Sequence, residues 1–370
     1  VAGIPIPLEV TGLTATWFTS VLEPHAPGVV VERAEVVDAH SGTTGRARVA
    51  LTYAERGSGD LPDTLFVKLA PFDARQREFV RRVGIGVSEA RLYASLGREL
   101  PVRVPRVWHA DVDDQAAYVM VLEDLVASAC SFPTPHDAEI VERARSVVEG
   151  LARLHARFWQ SPRFATDLAW VPERAGFGAG GGKDANAATA AGAFVRRALD
   201  RFADDMPPAF GRIGGLYAER TAEILDLWDE GDRTLIHGDA HMGNLFVDGA
   251  RSGFLDWAMV SRSPGVRDVA YFCCNSLPPD VRRSEEHDLL RRYRDIVALD
   301  GRELDPDEVF DQYRLFAVFS WVSATSTAAV GDRWQPEAVG RGGMTRATAA
   351  VEDLDSAGLL IEKLGATRTR

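Results

Sequence analysis

The sequence predicts an α+β fold in two parts: a small N-terminal lobe built on an antiparallel β-sheet with one or two helices, and a larger, mainly helical C-terminal lobe. Three observations lead there. At 370 residues the chain is longer than one small core accommodates. Residues 29 to 70 carry runs rich in valine and threonine, broken by glycine-containing turns, as strands require. From 137 onward apolar residues recur mostly at three- and four-residue intervals, the signature of a helix with one buried face. The expected division is residues 1–125 and residues 126–370.

Within the first part, "VVVERAEVVDA", "SGTTGRARVALTYAE" and "TLFVKLA" read as three strands of a meander. Phe79, Val83, Ala90, Tyr93 and Leu96 then follow a helical period, interrupted near "GIG". "VRVPRVWHADVD" and "AAYVMVLEDL" return to strand, giving β-β-β-α-β-β. In the second part, Ile140, Ala144, Val147, Val148, Leu151, Leu154 and Phe158 form one helical stripe. A Gly/Ala-rich loop is expected at 176–192, with helices near 194–204 and 216–230. "LFVD" and "SGFLDW" flank "DGARSG" as a hairpin, and helices resume from about 268.

Composition narrows the function classes. A net charge of −12 argues against nucleic acid or an anionic membrane as partner, and no apolar run approaches the ~20 residues of a membrane helix. Cys130, Cys273 and Cys274 offer no CxxC spacing and no disulfide framework, and the opening "VAGIPIPLEV" lacks the pattern of a signal peptide. A reducing, cytoplasmic setting is the expectation.

The chemistry concentrates in "LIHGDAHMGN", residues 235–244. His237, Asp239 and His241 fall on alternate positions, so a metallohydrolase is one alternative. The other reading uses Asp239, Asn244 four residues beyond it, and Asp256 after the following hairpin. In phosphoryl transfer an aspartate orients the attacking hydroxyl and takes its proton, while an asparagine and a second aspartate hold Mg²⁺. Taken together, "HGDAHMGNLFVD…GFLDW", "LARLHARFW" and "MVLEDL" resemble the aminoglycoside phosphotransferase and choline kinase family, including its ecdysteroid-kinase-like branch. The resemblance spans roughly residues 30 to 330. It implies a bilobal protein-kinase-like fold with ATP between the lobes, and transfer of a γ-phosphoryl group to a hydroxyl of a small molecule.

Further parts follow from that resemblance. Lys68, at the end of the third strand, takes the place of the lysine that holds the α- and β-phosphates; its ion-pair partner is Glu89 or, on the preceding segment, Glu78. "SGTTGR" occupies the phosphate-loop slot, so Gly42, Thr43, Thr44 and Gly45 are candidate nucleotide contacts, with an ordinary hairpin turn as the alternative. Glu123 and Leu125, at the end of "MVLEDL", are candidates for backbone contact with adenine. His237 is expected to hold the loop, and Asp268 in "PGVRDVAYF" to cap a helix or brace a loop.

A small-molecule acceptor is favoured over a protein because only about a dozen residues separate Asp256 from Asp268, leaving no room for an activation loop. Trp228, Phe316, Phe319 and Trp321 could line a stacking pocket or lie in the helical core. A catalytically degenerate nucleotide-binding protein is the second alternative; the incomplete glycine loop is its only support.

Overall fold

A computed structural model describes residues 3–84, 86–173, 185–331 and 337–367. The chain divides into two compact units, one comprising Val1–Phe132 with Phe246–Val260, the other Pro133–Leu245 with Ser261–Arg370.

The first unit holds a five-stranded sheet of β1 (Val29–Ser41), β2 (Gly45–Arg56), β3 (Thr64–Leu69), β4 (Val107–Val112) and β5 (Tyr118–Glu123). Its order is β1-β2-β3-β5-β4, antiparallel at every pairing. In β2 the buried residues Ala47, Val49 and Leu51 alternate along one face, and Leu65, Val67 and Leu69 do the same in β3. This places Lys68 on the opposite face of a central strand, between Arg46 of β2 and Met120 of β5.

Helix α1 (Ala15–Leu22) covers the apolar face through Trp17, Phe18, Val21 and Leu22, which join the sheet residues in one core. Thr14 caps it by accepting from the Trp17 N–H. Nothing in the sequence reading anticipates α1. The helical segment expected between β3 and β4 is two helices, α2 (Ala74–Val83) and α3 (Val87–Leu96). Gly86 joins them with φ +84°, and a Cβ there would lie 2.2 Å from the Tyr118 ring, so only glycine fits. The hairpin of β7 (Leu245–Asp248) and β8 (Arg251–Phe254) pairs Val247 with Ser131 and Gly253 with Arg103. Arg103 also joins Asp248 and Glu123 in ion pairs.

The second unit is helical. Its core comes from α4 (Ile140–Phe158), α6 (Pro208–Trp228), α7 (Val266–Ser276), α8 (Pro279–Ala298), α9 (Pro306–Val330), α10 (Glu337–Asp353) and α11 (Ser356–Thr367). A short ladder pairs β6 (Thr234–Ile236) with β9 (Ser261–Ser263) on either side of the "HGDAHMGN" loop and the hairpin. Part of the expected 176–192 loop, residues 176–184, lies outside the described residues; the rest is not loop but the start of α5 (Ala185–Phe202). Alanine, the best helix former, dominates that stretch and carries the helix further back than the glycines suggested. Trp228, Phe316 and Trp321 are core, with the Trp228 indole donating to the Leu315 carbonyl and the Trp321 indole to the Thr348 hydroxyl. No helix among the described residues is long and apolar enough to cross a membrane.

Because α1 covers the sheet through large, fully buried side chains, Phe18→Ala should destabilise the protein by about 3–5 kcal/mol, and Thr14→Ala by about 0.5–2 kcal/mol. Urea denaturation followed by tryptophan fluorescence would measure both.

Candidate functional site

In the first unit the structure brings together Lys68, Glu89 and Asp256. Lys68 is almost wholly buried, and its Nζ donates to Glu89 Oε2 at 2.5 Å and to Asp256 Oδ1 at 3.2 Å. Burial alone would favour the neutral amine, but the charges of Asp256 and Glu89 overcome it and hold Lys68 above the ordinary lysine range. Glu89 lies in the first turn of α3, where the helix dipole favours a carboxylate. Its rival Glu78 is a half-exposed residue paired with Arg81.

Asp256 follows β8 with φ +61°, a left-handed backbone that aspartate tolerates better than most residues. Its Oδ2 lies 3.6 Å from Arg46 Nη2, so two cations face the carboxylate. The next residue, Trp257, is fully buried and begins a single 3₁₀ turn packed on α3. That anchor fixes the direction of the aspartate beside it.

The "SGTTGR" segment is the β1–β2 turn. Gly42 N–H donates to the Thr44 carbonyl, the Thr44 hydroxyl accepts from Arg46 Nε, and the Ser41 hydroxyl accepts from the Phe72 N–H. A Cβ on Gly45 would come within 2.7 Å of the Ala70 carbonyl oxygen, so this glycine serves close packing against the chain after β3. Thr44 is buried, whereas Gly42 is half-buried and Thr43 exposed at the turn. Glu123 is committed elsewhere: its carboxylate pairs with Arg103 and its N–H donates to the Arg106 carbonyl. The Leu125 carbonyl accepts from Cys130 N–H.

In the second unit, Asp239 is gripped from two sides. Tyr271 of α7 donates its hydroxyl to Oδ1 at 2.8 Å, and Asn244 donates its amide Nδ2 to Oδ2 at 3.0 Å and to the Asp239 carbonyl at 2.9 Å. With its NH₂ so engaged, the Asn244 amide leaves its oxygen as the remaining hard donor. An amide oxygen is a hard donor of the kind Mg²⁺ takes when phosphates and water complete its shell, as is, within the first unit, the Asp256 carboxylate.

The loop bearing Asp239 is tied down by Asp268. This fully buried carboxylate accepts from the His237 N–H at 2.6 Å and the Gly238 N–H at 2.9 Å, and meets His155 Nε2 at 3.3 Å. His155 in turn contacts the Tyr293 hydroxyl. Burial pushes the Asp268 carboxyl up, but His155, the charge of His237 and the Gly238 N–H outweigh it and hold the group below the usual carboxylate range. Asp268 is therefore a loop brace and not a helix cap.

His237 is fully buried, and its Nδ1 accepts from the Asp239 N–H. His241 Nδ1 accepts from the Gly243 N–H. Among the described residues no three His, Cys, Asp or Glu side chains converge as a metal site, so the metallohydrolase built on His237, Asp239 and His241 finds no support. All three cysteines are free thiols.

Asp239, His241 and Tyr271 open onto a cavity of about 420 Å³ within this unit, bounded also by Thr134, Asn275, Ser323 and Arg346. Sequence reasoning missed Tyr271 and Arg346. Tyr271 stands three residues after Asp268 in α7, one turn along the same face, and that spacing from a candidate brace was the available signal.

A model described as the phosphotransferase enzyme family matches residues 39–316. No curated protein sequence matches the chain significantly. Among solved structures, a choline kinase from Cryptosporidium parvum Iowa II is 12% identical, with TM-score 0.51, covering 93% of this chain and 97% of its own. An ethanolamine kinase from Plasmodium vivax is 14% identical, with TM-score 0.50, covering 86% and 81%. A protein provisionally designated an aminoglycoside phosphotransferase, from Ralstonia eutropha JMP134, is 13% identical, with TM-score 0.50, covering 92% and 97%. At these identities the structures establish the fold, which is protein-kinase-like.

Two outcomes follow from the buried charges. Glu89→Ala should cost about 3–5 kcal/mol, the usual result of stranding half of a buried ion pair, and Lys68→Met with Glu89→Leu should recover most of it. Chemical denaturation of the three proteins decides this. The second concerns acid. Because the folded pKa of Asp268 is depressed, its stabilisation is complete above the unfolded value of about 4 and is lost as pH falls toward the folded value. Asp268→Asn should accordingly flatten the acid limb of a stability–pH curve measured from pH ~6 to ~2.5, relative to wild type.

Proposed function

From the premise that the chain belongs to the phosphotransferase enzyme family, we propose that it moves the γ-phosphoryl group of ATP to a hydroxyl of a small molecule bound in the Asp239 cavity. One observation carries the reading. The Asp239 carboxylate faces a cavity of small-ligand size while Tyr271 and Asn244 hold both of its oxygens in place.

Each oxygen of an ionised carboxylate has two lone-pair directions, so Asp239 still has capacity to accept a proton from the acceptor hydroxyl. That proton passes to Asp239 as the hydroxyl oxygen forms its bond to the γ-phosphorus; the bond from phosphorus to the bridging oxygen breaks, and ADP leaves with that electron pair. Tyr271 acts through Asp239 as a positioning residue, donating to Oδ1 so that the carboxylate cannot rotate away.

Lys68, held charged by Glu89 and Asp256, is assigned to the ATP phosphates. Asp256 and Asn244 are assigned to Mg²⁺, which when bound supplies positive charge against the phosphate oxygens. Gly42, Thr43, Thr44 and Gly45 are assigned to the phosphates through turn N–H groups, and Arg46, beside Asp256, belongs with them. The adenine assignment of Glu123 and Leu125 is carried forward for backbone groups, the Glu123 carbonyl and the Leu125 N–H.

The acceptors named by the similar structures, choline and ethanolamine, are small hydroxyl compounds, which agrees in size with the cavity. Lys68, Asp239, Asn244 and Asp256 all carry side chains competent for the roles proposed, which favours this reading over the degenerate one.

An ADP-release screen over hydroxyl compounds, run with wild type and Asp239→Asn, tests the assignment. The variant should lose about 10²–10⁴-fold in kcat with any acceptor found, and should keep its ATP affinity by calorimetry. Full acceptor-dependent turnover by Asp239→Asn would refute it.

A further inference from the structure

The charges around the cavity do not balance as a polycation site would. Among the described residues its lining contributes one carboxylate, Asp239, already engaged with Tyr271 and Asn244, one guanidinium, Arg346 of α10, and the imidazole of His241. The other walls are small or uncharged: Pro133, Asn275, Ser323 and Gly343 are representative.

Arg346 is half-buried, and its Nε donates to the Asn275 carbonyl at 2.7 Å. Among the described residues no carboxylate lies within ion-pair distance of it, whereas Arg282, a deeply buried arginine of this unit, is paired with Glu286 and Asp353. Burial pulls Arg346 below the ordinary arginine range, and no acid opposes it. Withdrawing a guanidinium from water without a counter-ion costs free energy, and the two terminal nitrogens keep N–H donors beyond the one spent on Asn275. A fork of parallel donors matches a carboxylate.

We propose that the acceptor is a hydroxy acid, whose carboxylate is held by Arg346 while its hydroxyl is presented to Asp239. This rests on the phosphotransferase reading only for the fate of the hydroxyl; the anion subsite stands on the cavity alone. A carboxylate is favoured over a phosphate monoester because one guanidinium neutralises one charge. A dianion would leave a second negative charge sharing the cavity with Asp239.

Ligand-observed NMR on the full chain tests the subsite without requiring turnover. The probes are glycerate, γ-hydroxybutyrate and p-hydroxymethylbenzoate, each beside its carboxamide, with glycerol phosphate, choline and ethanolamine as contrasts. At least one acid should bind wild type about tenfold or more tightly than its amide, the scale of one charge-assisted hydrogen bond. Arg346→Gln should abolish that preference, Arg346→Lys should retain part of it, and Asp239→Asn should leave it in place. Equal binding of acids and amides, a preference that survives Arg346→Gln, tighter binding of glycerol phosphate, or no binding by any acid would each overturn the proposal. If an acid binds through Arg346 but is never phosphorylated from ATP, the subsite holds and the kinase assignment falls. If choline or ethanolamine is phosphorylated in an Asp239-dependent way while no acid binds, the kinase assignment holds and the hydroxy-acid proposal falls.

Discussion

The second unit is organised around a carboxylate that does no chemistry. Asp268 takes the N–H groups of His237 and Gly238 on its two oxygens, and without it those donors would be buried with nothing to accept them. Everything proposed for Asp239 depends on that brace, because its loop has no strand or helix of its own between 237 and 241. His155 and Tyr293 support that carboxylate although they lie away from the cavity.

The first unit solves a different problem. A lysine on the middle of a sheet is costly to bury, and Lys68 is tolerated because two carboxylates arrive from a helix and from the turn after β8. The arrangement rigidifies the ammonium in one place. It also explains why the 3₁₀ turn after Asp256 carries a fully buried tryptophan: the aspartate must be held to bring its charge to the lysine.

Much of this was legible in the sequence where one local pattern sufficed. Alternation along β2 and β3 placed Lys68 on a strand, and the spacing of Asp239, Asn244 and Asp256 is itself a chemical signature. What escaped notice depends on distant partners or on weak signals. Helix α1 is eight residues long, short enough that its four buried side chains make sense only against the sheet they cover. The β6–β9 ladder has three residues a side, too few for any period. Tyr271 looks like any aromatic in a helix until its hydroxyl is seen on Asp239. Arg346 sits in a glycine-rich helix whose only distinction is an absent counter-ion, and absence leaves no motif. The Gly/Ala-rich stretch misled for the opposite reason, because composition suggested a loop where alanine propensity extends a helix.

The first unit is stitched from two stretches of chain, with more than a hundred residues of the other unit between them. During synthesis the ribosome must release residue 260 before that unit can close. Until then Lys68 waits for a partner 188 positions downstream, and the hairpin's contacts with Arg103 and Ser131 are missing. A nascent N-terminal half is thus an incomplete object that lacks the hairpin's bridges to Arg103 and Ser131 and holds an under-neutralised amine. A gene truncated anywhere before that point yields a client for chaperones, with no half-enzyme to inherit.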